Sequence, residues 1–352
     1  MYCPRCHRRY PTGYRFCPID GESTAERLDL DRLPASRTRF TDSTLGERYK
    51  VRGFIGAGKF ARVYLAEDID SGMPVAVKVL EEPYRSEEKG RARFMREAET
   101  VAAIGHPNIV EVFETGEREE DGAPYIVMEF LFGEPLSRFL DRQKTVPLDM
   151  AIAALRQAAS ALHAAHQKGV VHRDVKPGNL FLVGEPGDPY ELKVLDFGFS
   201  KLENSELTAA GVVLGTPAYM APEQIVADAL DARTDVYALG MVMYRMLTGA
   251  HAFDVSDDVS MLAHQLLVAP VLPSKRATDL DARAEQVILT AIRKTPVHRH
   301  PSMAVLDDDL AKLGDPSARL WAAPAPPDRY VPKTRLGEMV IESLGRAIDF
   351  EW

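Results

Sequence analysis

Apolar and polar residues alternate from Tyr49 to Val79, interrupted by turn residues, and this period of two predicts a β-meander. Tyr125-Ile126-Val127-Met128-Glu129-Phe130-Leu131 is a continuous apolar run holding one acid, which predicts a buried strand. Between Leu148 and Lys168 apolar residues recur every three to four positions and stop at Gly169, predicting a helix with a glycine stop. Another, strongly apolar helix opens around Asp235 in Arg233-Thr234-Asp235-Val236-Tyr237-Ala238-Leu239-Gly240. Further on, Leu336, Val340, Leu344 and Ile348 stand four apart, the stripe of a short amphipathic helix that needs a docking partner on this chain or another. Two stretches lack such order. Residues 22–45 mix Ser, Thr, Asp and Arg with one Pro and predict a linker, and Ala322-Ala323-Pro324-Ala325-Pro326-Pro327 predicts a stiff one.

Composition narrows the class. With 352 residues, 45% hydrophobic and 27% charged, the chain has ordinary globular make-up and room for a core of one large domain plus appendages. A net charge of −9 argues against general nucleic-acid binding. No apolar run has the length of a membrane span, and the start lacks a charged-then-apolar signal, so the expectation is a cytoplasmic protein. All three cysteines fall within the first 17 residues, which excludes a disulfide framework and makes their chemistry local.

The densest chemistry lies in Val171-His172-Arg173-Asp174-Val175-Lys176-Pro177-Gly178-Asn179. A carboxylate (Asp174), an ammonium (Lys176) and a carboxamide (Asn179) so close together suit neither an apolar strand nor a helical stripe. They suit phosphoryl transfer to a hydroxyl, which needs a group to orient and deprotonate the alcohol, a cation for the γ-phosphate and an oxygen ligand for Mg²⁺. A second carboxylate follows in Asp196-Phe197-Gly198, and upstream lie Gly56-Ala57-Gly58 and Val75-Ala76-Val77-Lys78, in the order of the protein-kinase signature set. From Tyr49 to Leu313 the chain resembles a eukaryotic-like, bacterial Hanks-type Ser/Thr protein kinase.

That resemblance implies a two-lobed α+β kinase fold over residues 46–314 and transfer of the γ-phosphate of MgATP to protein Ser or Thr. It makes Asp174 the base, Lys78 and Lys176 the phosphate-binding cations, and Glu97, on a helix over Arg91–Ile104, the partner of Lys78. Asn179 and Asp196 would hold Mg²⁺, or Mn²⁺ in its place. Gly56, Ala57 and Gly58 would cover the phosphates, with Ala61 where the family pattern has a third glycine. Ile55, Val63, Ala76, Leu131 and Phe181 would sandwich the adenine. Met128 would be the gatekeeper, and the backbone of Glu129 and Leu131 would bond to the base. His106-Pro107-Asn108-Ile109-Val110 would begin the strand after the helix.

His172 would pack beneath Phe197, and His163 and His166 read as helix-face residues rather than metal ligands. Lys176 with Pro177 marks the Ser/Thr form, and Arg173 implies control by an activation-loop phosphate, with Thr208 the candidate acceptor and Ser205 the alternative. Thr216 would bond near Asp174, Asp235 would hold the catalytic-loop backbone, and Arg299 would pair with Glu223. The implied partners are ATP and protein substrates. The rival readings are an ATP-binding pseudokinase scaffold, against which the presence of Lys78, Asp174 and Asp196 argues, and a zinc-dependent adaptor whose kinase activity is incidental.

That adaptor reading comes from residues 1–21, where Cys3-Pro-Arg-Cys6 is followed by Cys17-Pro-Ile-Asp20. Two such turns bring four ligands to a point, as tetrahedral Zn²⁺ requires. So short a segment has almost no core, and the metal would supply its folding free energy. It resembles the small zinc-ribbon modules of many bacterial proteins, with Asp20 where a fourth cysteine usually stands. Asp20 fits by spacing and His7 by chemistry. Arg5, Arg8, Arg9 and Arg15 make the segment basic, but the ligands would offset part of that charge, so a protein-docking or sensing role is expected over nucleic-acid binding. Residues 315–352 then read as a Pro-rich linker and the short amphipathic segment.

Overall fold

The structure, a computed structural model, describes residues 23, 35, 36, 38, 40–58, 60–184, 191–197, 216–315, 317–321 and 329–348. Cys3, Cys6, His7, Cys17, Asp20, Gly198, Ser205, Thr208 and the Ala/Pro run at 322–327 lie outside the described residues. The chain divides into two units, one of residues up to Gly133 with Leu182–Glu191, the other of Glu134–Phe181 and Leu192 onward.

In the first unit the alternation becomes an antiparallel sheet of β1 (Thr44–Leu45), β2 (Tyr49–Ala57), β3 (Ala61–Asp68), β4 (Met73–Leu80), β5 (Val112–Glu117) and β6 (Pro124–Glu129). The order across the sheet is β1-β2-β3-β4-β6-β5. Val75, Val77 and Val79 turn to one face, where they meet Tyr49, Val51, Tyr64, Tyr125 and Val127. Each valine so buried stabilises the sheet by about 1.5–3 kcal/mol. The period of two sends Ala76 and Lys78 to the other face, where Ala76 stands opposite Leu65 and Met128, and Lys78 opposite Val63 and Ile126. Helix α1 (Glu88–Ile104) buries Phe94, Ala98, Val101 and Ile104 and ends on Gly105 at φ 60. After it the strand begins at Val112 rather than at His106, whose ring instead accepts the Asn108 amide at 3.1 Å.

Part of the stretch expected as a linker is built onto this sheet. Ser36 and Phe54 exchange backbone hydrogen bonds of 2.8 Å each way. Phe40 meets Tyr64 edge to face at 5.9 Å, and the Arg118 guanidinium lies 4.5 Å over the Phe40 ring. A bulge at Gly53 admits the strap, since a Cβ there would stand 2.9 Å from both Ala35 Cβ and Ser36 O. Bridges of this kind have no periodicity of their own to read.

The second unit is helical: α2 (Leu136–Gln143), α3 (Leu148–Gln167), α4 (Ala232–Thr248), α5 (Asp258–Leu267), α6 (Ala282–Ala291), α7 (Met303–Ala311) and α8 (Arg335–Ala347). Helix α4 is buried almost all round, which its apolar sequence demands. The Asp231 side chain caps it by accepting from the Arg233 amide, and Gly249 closes it at φ 71. Three short strands, β7 (Gly133–Pro135), β8 (Leu180–Val183) and β9 (Glu191–Val194), form a second sheet in that order. Helix α8 exists where the stripe predicts it but is rolled about its axis. Gly337, Ile341 and Gly345 are buried, while Leu336 is 44% exposed. Among the described residues no helix is long and apolar enough to cross a membrane.

Candidate active site

In the first unit the site is built on the face of β4 that carries Lys78. Glu97 falls on the apolar side of α1, three residues after Phe94 and four before Val101. Its Oε1 stands 3.2 Å from Lys78 Nζ, and both side chains are largely enclosed, at 14% and 15% exposure. The ammonium also lies 5.9 Å from the Phe94 ring centre. A charge so enclosed needs its counter-ion. At the end of β2, Gly58 N donates to Ala61 O at 2.8 Å, closing the glycine turn. A Cβ on Gly56 would meet nothing within 4 Å, so packing does not explain that glycine. Ala61 has a packing reason to depart from glycine, because it is buried with Leu80, Phe94, Ala98 and Ile126.

The expected adenine residues of this unit are Ala76, which is buried, and Ile55, Val63, Met128 and Leu131, which are half-buried. Ile55 packs with Leu65, Phe130 and Phe132. The Glu129 amide donates to Glu111 O at 2.9 Å, and its Oε1 accepts the Glu111 amide at 2.8 Å.

In the second unit the chain leaves α3 at Gly169 (φ 74) and is at once tied down from below. Asp235, wholly buried at the start of α4, accepts the His172 amide on Oδ2 and the Arg173 amide on Oδ1, each at 2.8 Å. His166 Nε2 joins Oδ2 at 2.7 Å. His172 Nδ1 accepts the Asp174 amide at 3.2 Å, which puts the ring proton on Nε2, 2.9 Å from Leu195 O. Its ring lies 4.5 Å from that of Phe197.

Arg173 has φ 64, a conformation that costs a non-glycine residue about 1–3 kcal/mol and needs support on both sides. It has that support, with its amide on Asp235 and its carbonyl accepting Gln224 Nε2 at 2.8 Å. Burial lowers the Arg173 side chain from its ordinary pKa, and its Nε has no hydrogen-bond partner among the described residues.

On this platform stand three of the expected groups. Lys176 Nζ is 2.8 Å from Asp174 Oδ2, and Asn179 Nδ2 donates to Asp174 O at 2.8 Å and to Oδ2 at 3.1 Å. The Asn179 carbonyl in turn accepts the Leu195 amide at 2.8 Å, which ties this loop to the strand leading into Asp196. Asp196 is exposed, with φ 46, and Phe181 is half-buried. Thr216 is exposed and opens the Pro217–Tyr219 turn. Below, Arg299 grips both oxygens of Glu223, at 2.6 and 2.7 Å, with both residues almost wholly buried. Gln224 is one residue that sequence reasoning misses, since no local pattern announces a glutamine that holds a carbonyl 51 residues away.

A β-rich unit carrying a Lys–Glu pair and a glycine turn, with a helical unit carrying an Asp–Lys–Asn loop, defines the protein-kinase class of fold. The protein kinase domain family model matches residues 49–310, and the chain belongs to that family. The chain is 35% identical over 299 residues to the serine/threonine-protein kinase pkn3 of Myxococcus xanthus, covering 82% of this chain and 54% of that protein. It is 36% identical over 277 residues to PknB of Mycobacterium leprae, covering 78% of this chain and 44% of that one. The match thus spans about half the length of these relatives. Among solved structures, the PknI kinase domain of Mycobacterium tuberculosis aligns with a TM-score of 0.61 at 28% identity, covering 78% of this chain and 98% of that one.

Proposed function

We propose that this chain is a serine/threonine protein kinase that transfers the γ-phosphate of ATP to protein hydroxyls and phosphorylates its own activation loop. The observation that carries it is the Asp174 set, a carboxylate held by Lys176 and Asn179 on a loop pinned to Asp235. In this reading Asp174 orients the acceptor hydroxyl and takes its proton, and Lys176 neutralises charge on the transferring group. Lys78, fixed by Glu97, binds the α- and β-phosphates beneath Gly56, Ala57 and Gly58. The Glu129 amide is committed to Glu111, so Glu129 meets the base through its carbonyl and Leu131 through its amide. Ile55, Val63, Ala76, Leu131 and Phe181 supply the apolar contacts, with Met128 as gatekeeper.

Asn179 donates through Nδ2 to Asp174, which makes its Oδ1 the remaining donor atom, and the Asp196 carboxylate is exposed. Two hard oxygens suit Mg²⁺ or Mn²⁺, which supplies charge neutralisation on the phosphates when bound. We read the domains as 46–314 for the kinase, 315–352 for the Pro-rich linker and helical tail, 22–45 for the connection, and 1–21 for a zinc-ribbon-like module. Three thiolates and a fourth ligand, Asp20 by spacing, suit structural Zn²⁺ and a docking role. The cytoplasm supplies both MgATP and the reducing conditions those thiolates need.

The test is incubation with MgATP and a peptide containing Ser, Thr and Tyr, read by mass spectrometry. Phosphate on Ser or Thr is expected. ATP binding without transfer would instead support the scaffold reading.

A further inference from the structure

Residues 329–348 lie beyond the family match, and none of the phosphotransfer groups belongs to them. They are nonetheless built into the helical unit. Tyr330 and Ile341, each 3% exposed, enter an apolar cluster with Met220, Ile225, Val226 and Leu266. A Cβ on Gly337 would stand 3.2 Å from Val226 Cβ and 2.7 Å from Pro332 Cβ, so glycine is what brings α8 this close.

The tie is polar as well. The Tyr330 hydroxyl donates to Asp228 Oδ2 at 2.7 Å, and the Lys333 amide donates to the same oxygen at 3.0 Å. Asp228 is 3% exposed and its Oδ1 has no partner among the described residues, so the tail supplies donors to a carboxylate that burial would otherwise penalise. The Tyr330 amide donates to Leu266 O at 2.8 Å.

The segment held in this way reaches the catalytic loop. The Asp228 amide donates to Glu223 O at 3.0 Å, and the neighbouring Gln224 carries the Arg173 carbonyl, directly before Asp174. Beside Leu266, the buried Gln265 donates to Pro217 O at 3.0 Å and accepts the Tyr237 hydroxyl. Tail, α5 and residues 217–228 therefore form one bonded and packed body.

We propose that residues 329–348 are a brace for residues 217–228, and that Tyr330 and Ile341 are positioning residues for the protein-acceptor side of the reaction. This rests on the kinase reading above. The ties described make no direct bond to Lys78, Glu97, Asn179 or Asp196 and reach the catalytic loop through the Arg173 carbonyl, next to Asp174, so the brace acts first on the acceptor.

The experiment compares full-length wild type with Tyr330→Phe and Ile341→Asp. It measures amide hydrogen exchange over 217–228, the KM for a Ser/Thr peptide, and ATP-analogue affinity. Exchange there should quicken about tenfold, reporting local opening. Peptide KM should rise about 3- to 10-fold, the size of effects carried through packed networks, while nucleotide affinity stays at the wild-type value. Should Ile341→Asp unfold, Tyr330→Phe keeps the ring and carries the test. Exchange at the wild-type rate in Tyr330→Phe overturns the proposal. So does a lower peptide KM, which would make the tail a cover over the acceptor site. If wild type transfers no phosphate at all, the kinase reading fails while the exchange arm still decides the brace.

Discussion

At the residue scale, the pair most open to test is Lys78 with Glu97. Hydrogen bonds to charged groups contribute about 1.5–3 kcal/mol, so Glu97→Gln should lower kcat/KM for ATP by about 10- to 100-fold. An unchanged kcat/KM would mean that the pair is structural only. Arg173 is the other informative residue, being half-buried, held in a strained conformation and without an Nε partner among the described residues. A phosphate on Thr208 could meet that cation, and phosphopeptide mapping of active protein should find Thr208 modified. A fully active preparation with an unmodified loop would exclude it. The motif residues were legible in the sequence because spacing along one short loop suffices to name Asp174, Lys176 and Asn179. Gln224, Asp228 and Tyr330 were not. The Asp228–Tyr330 bond joins residues 102 apart, and no local period records it.

At the element scale, strands and helices with strong periodicity fell where the pattern put them. The meander from Tyr49 became β2, β3 and β4, and the helix from Leu148 ran to Gln167. Helix α8 shows how far patterning reaches. Val340 and Leu344 of its stripe do pack against the apolar cluster, but Gly337 sets the closest approach, beside the buried Ile341 and Gly345, and hydrophobicity does not register a glycine. The sheet also has a pH signature. Arg48 donates to both Asp68 oxygens, at 2.8 and 3.0 Å, and these bonds pull the carboxyl down to about 2. Its unfolded value is about 3.9, so this stabilisation is fully present above that pH and is lost as pH falls through about 2. Thermal melts between about pH 5 and pH 2 should therefore fall steeply in wild type and less steeply in Asp68→Asn. Equal slopes in the two proteins would rule out this contribution.

At the scale of the whole molecule, the β-rich unit, the helical unit and the N-terminal cysteines answer to different physics. The two units have apolar cores, whereas in the zinc reading proposed above the cysteine segment would draw its folding free energy from the metal. Purified protein should hold about one zinc per chain, and Cys6→Ser should lose it while His7→Ala keeps it. Among the described residues no group of three or more His, Cys, Asp or Glu could hold such an ion, so bound zinc would point to the cysteines. Zinc-free protein with an intact N-terminus would reject the module. The central claim, phosphotransfer through Asp174, is tested most directly by intact mass after incubation of wild type and Asp174→Asn with MgATP. Wild type should gain phosphate, and Asp174→Asn should gain it about 10²–10⁴-fold more slowly while melting and binding nucleotide like wild type. Phosphate uptake at the wild-type rate in Asp174→Asn would contradict the account.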